Sequence, residues 1–194
     1  MTLDADDCRA LLHTARLTIE HALHHESDKP VRISGSAALN EWRASFVTLK
    51  IAGNLRGCIG TLQPLRELLD DVAHNAYAAA FRDPRFSPLA AVETAKVQIE
   101  ISVLDEPETL AVADRNELLQ SLRPGRDGLI VACASRRATF LPSVWEVLAD
   151  SDEFVTQLWR KAGLPPGSWP ADIQLLRYSV QHFHEPAAAR LPRY

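Results

Sequence analysis

The chain has 194 residues, 46% of them hydrophobic and 24% charged, with 21 basic and 25 acidic side chains for a formal net charge of −4. That make-up is expected of a soluble globular protein and excludes a disordered or collagen-like chain. No apolar stretch approaches the ~20 residues of a membrane span, and the net charge supplies no global attraction to nucleic acid.

The start, Met1-Thr2-Leu3-Asp4-Ala5-Asp6-Asp7, is acidic where a secretory signal is basic and then apolar, so a cytoplasmic protein is expected. Cys8, Cys58 and Cys133 form an odd set without a CxxC pair, which favours a reducing compartment over a disulfide framework or zinc ribbon. From Asp4 to His24, Cys8, Leu11, Leu12, Ala15, Ile19, Ala22 and Leu23 recur at helical spacing, with acids at the positive amino end. Phe46 to Ile51 alternates, Ala52-Gly53-Asn54 turns, and Leu55 to Leu62 runs back, predicting a β-hairpin. A helix is then predicted with Pro64 in its first turn and Leu65, Leu68, Leu69, Val72 and Ala76 as its stripe, ending at Asp83-Pro84.

Val97, Ile99, Ile101 and Val103 face one way and Gln98, Glu100 and Ser102 the other, the clearest period-two signal in the chain. Asp105-Glu106-Pro107-Glu108 breaks that strand and makes a candidate boundary. Beyond it come a short helix near Glu117 to Leu122, a hairpin of Leu129 to Ala132 with Ala138 to Leu141, and a helix opened by Pro142. Asp150 and Glu153 have capping-box spacing for a further helix burying Phe154, Val155, Leu158, Trp159 and Ala162, with Gly163 as its C-cap. Gln174 to Glu185 reads as one long strand carrying Tyr178, Val180, His182 and His184 on one face, and the tail from Pro186 reads as loose. Without regular βαβ alternation, an α+β fold with antiparallel sheets is expected.

The most informative stretch is Leu55-Arg56-Gly57-Cys58-Ile59-Gly60. Alternation puts Arg56 and Cys58 on one face and Leu55 and Ile59 on the other, so a guanidinium lies near a thiol and Gly57 and Gly60 admit a ligand or another backbone. On chemistry alone the favoured reading of the same residues is a small buried hydrophobe, an ion-pair partner and glycines marking a bulge or close packing. Arg85, between Pro84 and Phe86, suits an anion clamp or a salt bridge to an acid between two units. Glu100, the lone acid on its strand, is expected to pair with Arg56 or to serve as acid or base. His182 shares a face with His184 and is a candidate general base. Thr139 is a binding candidate whose default role is to satisfy sheet backbone, and Asp127 sits in a turn where an Asx contact is the default. His21-x-x-His24-His25 has helical spacing but no accompanying ligand pattern, and no metal-ligating set is assigned. No cofactor follows from these patterns, and phosphate loops of the Walker or dinucleotide type are absent from the hexapeptide.

The hexapeptide resembles the signature of the AMMECR-one domain family, and further stretches support the likeness: Asp83-Pro84-Arg85-Phe86, Glu100 to Leu104, Gly125 to Ile130, Ala138 to Pro142 and Lys161 to Pro165. In bacteria and archaea such domains are similar to AmmeMemoRadiSam system protein A, often encoded beside a Memo-like protein and a radical SAM protein. The resemblance implies two α+β units, each with an antiparallel sheet flanked by helices. The larger would be built from residues 1–106 and 173–194, and a smaller unit, residues 107–172, would be inserted in it. A cleft between them would receive the hexapeptide and admit a nucleic acid or protein. Two functions are compatible with these features. One is an enzyme or enzyme subunit acting on a large substrate, with Cys58 as nucleophile, Arg56 stabilising charge and Glu100 or His182 moving protons. The other is a non-catalytic adaptor that grips a protein or RNA through Arg56 and Arg85 and hands it to the radical SAM or Memo-like partner.

Overall fold

The computed structural model describes residues 2–25 and 35–186, which form two compact units. One comprises the chain up to Leu104 together with the residues from Gln181 on, and the other Asp105–Val180. Each is α+β, built on a four-stranded antiparallel sheet. Among the described residues no helix is long and apolar enough to cross a membrane. The tail beyond residue 186 lies outside the described residues.

The first unit contains α1 (Ala5–His25), β1 (Ser45–Ile51), β2 (Asn54–Gly60), α2 (Leu68–Phe81), β3 (Val97–Leu104) and β8 (Val180–His184), with sheet order β2-β1-β3-β8. Leu11, Ala15 and Ile19 of α1 are fully buried, as their four-residue spacing requires of one helix face. They meet Leu69, Val72 and Ala76 of α2 and the inward set Val47, Leu49, Ile99 and Ile101, so both helices lie on one face of the sheet. Ala52 and Gly53 turn the β1–β2 hairpin with φ of 51° and 81°, the pair of left-handed residues that suits strand twist.

Two expectations change here. Pro64 does not enter a first turn, because the preceding segment is tied back before α2 begins: Trp42 bridges Glu67, and Leu68 N–H donates to Glu41 O at 2.8 Å. A register shift opposite Leu49 and Lys50 makes Arg56 the extra residue of a β-bulge. Leu55 therefore pairs with Lys50, leaves the face expected for it and stands 42% exposed.

The second unit orders β4 (Glu108–Thr109), β7 (Gln174–Tyr178), β5 (Gly128–Cys133) and β6 (Arg136–Phe140) in that sequence across its sheet. The segment from Gln174 to Glu185 is thus two strands in two sheets, broken at Ser179. There Asp105 N–H donates to Ser179 O at 3.0 Å, and the Ser179 hydroxyl donates to the Asp105 carboxylate. The helices are α3 (Arg115–Ser121), capped by Asp114, and α4 (Ser151–Lys161), capped by Asp150 on Glu153 N–H at 2.9 Å. The predicted stripe of α4 is buried, with Phe154 stacked on Trp145 at 3.8 Å between centroids, and Gly163 ends the helix at φ 71°.

Helix α2 rests on β2 at Gly57, where a Cβ would stand 2.1 Å from Ala79 O. Gly57→Ala must push helix and strand apart, and we expect it to cost about 1–3 kcal/mol, read as a lower urea midpoint. An unchanged midpoint would mean that α2 does not press on β2.

Candidate functional site

Strand β2 is an edge strand, and the backbone of Cys58 points outward from the ladder. Its N–H donates to Asp83 Oδ2 at 2.8 Å, and its carbonyl accepts from Arg85 Nη2 at 3.1 Å. Asp83 in turn holds Arg85 through two side-chain bonds of 2.9 and 2.7 Å and one from the Arg85 N–H at 3.1 Å. Asp83-Pro84-Arg85 is therefore a clasp that supplies the donor and acceptor a neighbouring strand would otherwise provide. The Arg85 guanidinium, then the N–H groups of Cys58 and Arg85, hold the buried Asp83 carboxyl well below the usual carboxylate range against the opposing effect of burial.

Arg56 closes the same edge one step along. It makes a bidentate pair with Glu93, 2.9 Å in each arm, and donates to the carbonyls of Ser87 at 3.0 Å and Pro88 at 3.4 Å. Hydrogen bonds from Arg56, followed by the Ala90 N–H, push the Glu93 carboxyl down to about 2. Both guanidiniums flank Phe86, 5.9 Å and 5.5 Å from the ring centroid for Arg56 and Arg85. The expected pairing of Arg56 with Glu100 is not formed. Arg85 pairs with Asp83, two residues earlier.

The sheet face opposite the helices carries the remaining first-unit candidates. Cys58 lies across from Thr48, and Thr48 across from Glu100, so the three form a row over three strands. The Thr48 hydroxyl donates to Cys58 Sγ at 3.2 Å. Glu100 pairs with Lys50 at 2.9 Å, His182 Nε2 lies 3.9 Å from the same carboxylate, and His182 Nδ1 meets Ser102 Oγ at 3.1 Å. Two strand spacings put Glu100 about 10 Å from Cys58 in backbone terms, too far for direct proton transfer. Two residues further along β2, Gly60 lies across from Phe46, and a Cβ there would meet the Phe46 ring at 2.3 Å, so the missing side chain makes room for that ring.

Other candidates take structural roles. Thr139 is buried in the second unit, its hydroxyl within 2.9 Å of Leu129 O and 2.9 Å of Tyr178 Oη, and burial pushes the Tyr178 hydroxyl up to about 12. Asp127 is also buried there and accepts from Arg123 N–H at 2.8 Å. Among the described residues no group of three or more His, Cys, Asp or Glu could hold a metal; the His25 side chain lies outside them. Sequence reading missed Thr48, Lys50 and Glu93, and gave Asp83 a place as a helix terminator and in a family-like stretch but no role at the site. An acid and a base flanking Pro84 was the available signal for the clasp, whereas nothing local joins Arg56 to a residue 37 positions away.

Both edge carboxylates have depressed folded-state pKa values, so their stabilisation is present above the unfolded-state value and is lost as pH falls through the folded one. For Glu93 that window runs from 4.5 to about 2, with Asp83 extending it lower. Glu93→Gln should lower stability at pH 7 by about 1–2 kcal/mol, and urea midpoints between pH 7 and 3 should fall less steeply than in the parent. Parallel pH profiles would remove Glu93 from the edge closure.

The AMMECR1 family pattern matches residues 12–183. A Methanothermobacter thermautotrophicus protein is 37% identical over 187 residues, covering 94% of this chain and 96% of its own. A Saccharolobus solfataricus protein is 43% identical over 148 residues, covering 73% of this chain and 65% of its own. The crystal structure of an uncharacterised protein from Pyrococcus horikoshii superposes with a TM-score of 0.79 at 32% identity, covering 90% of this chain and 89% of that one. With the pattern spanning most of the chain and relatives matching nearly end to end, the chain belongs to the AMMECR1 family.

Proposed function

We propose that this protein is an adaptor that binds a protein partner through the polar face of its first sheet. The observation that carries this reading is the electrostatic closure of the edge. Arg56 and Arg85, the cations expected to grip phosphate, are each spent on an internal carboxylate. What the face presents is mixed: Lys50 against Glu100, His182 beside them, and the hydroxyls of Thr48 and Ser102. Nucleic-acid binding draws on a stripe of unpaired basic charge, whereas a mixed polar face suits the complementary charges and hydrogen bonds of a protein surface. By the family resemblance, the Memo-like and radical SAM proteins are the partners to test.

A second reading, an enzyme subunit acting on a protein with Cys58 as nucleophile, is favoured by the Thr48 hydroxyl on Cys58 Sγ. Against it stands that, among the described residues, Glu100 and His182 do not reach the thiol and would have to work through water or substrate.

Surface plasmon resonance with the purified Memo-like and radical SAM proteins tests the proposal. Glu100→Lys should weaken binding at least about tenfold, and adding Lys50→Glu, which re-forms the internal pair but leaves the charges met by the partner reversed, should not restore it. Cys58→Ser should leave affinity unchanged in an adaptor. If neither protein binds, or if a single-stranded RNA binds instead with steep salt dependence, the adaptor reading fails.

A further inference from the structure

The first unit holds a pocket of about 710 Å³ that the edge and the polar face do not use. It is bounded by the second half of α1, the β1–β2 turn, the 3-10 helix Ala91–Lys96, and the neighbouring ends of β3 and β8. Its volume falls within the range of small-molecule sites.

Part of the wall is closed. Arg16 pairs through both arms with Glu185 and donates to the carbonyls of Thr94 at 3.0 Å and Val97 at 2.8 Å, while Glu185 also accepts Ile99 N–H at 3.0 Å. This pair is a rigid, electrically neutral brace that ties α1 to two strands, and it has little left to offer a ligand. Three other ionisable side chains in the wall are Glu20, His24 and Lys96; none is in hydrogen-bond or ion-pair contact among the described residues, and Lys96 acts on Glu93 only through its charge. Glu20 and His24 stand one helical turn apart on the same face of α1, and Lys96 comes from the 3-10 helix. Leu23 adds an apolar side chain to the same wall, backed by the buried Val97.

We propose that this pocket binds a small organic zwitterion with an aliphatic body, its ammonium directed to Glu20 and its carboxylate to Lys96. A simple anion would meet the Glu20 carboxylate unscreened and a simple cation would meet the Lys96 ammonium. Only a ligand carrying both charges satisfies the two together while covering Leu23. The 3-10 helix that supplies Lys96 also carries Glu93, the partner of Arg56, so a bound ligand would brace the segment that closes the β2 edge.

Isothermal titration calorimetry on the whole chain is the test, with L-leucine and 6-aminohexanoate as probes carrying the two charges at short and long separation. The expected result is saturable one-site binding by one of them. It should weaken at least about tenfold for each single-charge analogue (4-methylpentanoate and 3-methylbutylamine, or hexanoate and hexylamine) and in both Glu20→Gln and Lys96→Gln. Both substitutions lie outside the core, and circular dichroism checks that each variant is folded. Absence of saturation by either zwitterion at about 10 mM, or binding that neither variant changes, would overturn the proposal.

Discussion

The outer edge of β2 is the constraint on which the candidate site depends. An edge strand leaves a row of N–H and C=O groups without partners, and at Cys58 the chain answers with Asp83 and Arg85 rather than another strand. Because the Asp83 carboxylate is buried while ionised, it needs the full set of donors it receives, and losing any one would leave charge stranded in a dry place. The Arg56–Glu93 pair repeats this solution one step along, so the segment from Asp83 to Glu93 is fastened to β2 at both ends.

Behind that edge the packing is equally specific. Gly57 admits the α2 backbone and Gly60 admits the Phe46 ring, so both glycines of the hexapeptide are explained by contacts inside the first unit. Asp71 anchors the other end of the hairpin: it is fully buried and accepts from Ser45 N–H at 3.0 Å, Ser45 Oγ at 2.7 Å, Asn75 Nδ2 at 2.8 Å and Arg66 Nη1 at 3.1 Å. Such a network specifies one arrangement because displacing Asp71 would strand its buried carboxylate. The result is a stiff β1–β2 hairpin presenting Cys58 at a defined height above Thr48.

Function is reframed by where the charges go. An arginine two residues from a cysteine invites a thiolate-activating role, but a guanidinium already bidentate to a carboxylate offers a ligand little net charge. What remains on the sheet face is a small mixed field around Glu100, better matched to the surface of a protein than to a phosphate backbone. The Glu20–Lys96 pocket belongs to a different place in the same unit, joined to the edge through the β1–β2 turn and the 3-10 helix that carries both Lys96 and Glu93.

Much of the architecture was legible before any coordinates. The α+β class, the strand from Val97 to Val103, the buried stripe of α4, its Asp150 cap and its Gly163 ending follow from periodicity and local hydrogen bonding, which act over a few residues. Family membership was legible too, through short stretches spread along the chain. Tertiary structure alone decided that the segment after Gln174 divides between two sheets, that the bulge displaces Leu55, and that Arg56 pairs with Glu93 while Glu100 pairs with Lys50. Periodicity assigns a side chain to a face. Which charge it meets there depends on where a distant loop returns, and that is set by the packing of α2 and the closing of an edge strand, neither of which leaves a local mark on the sequence.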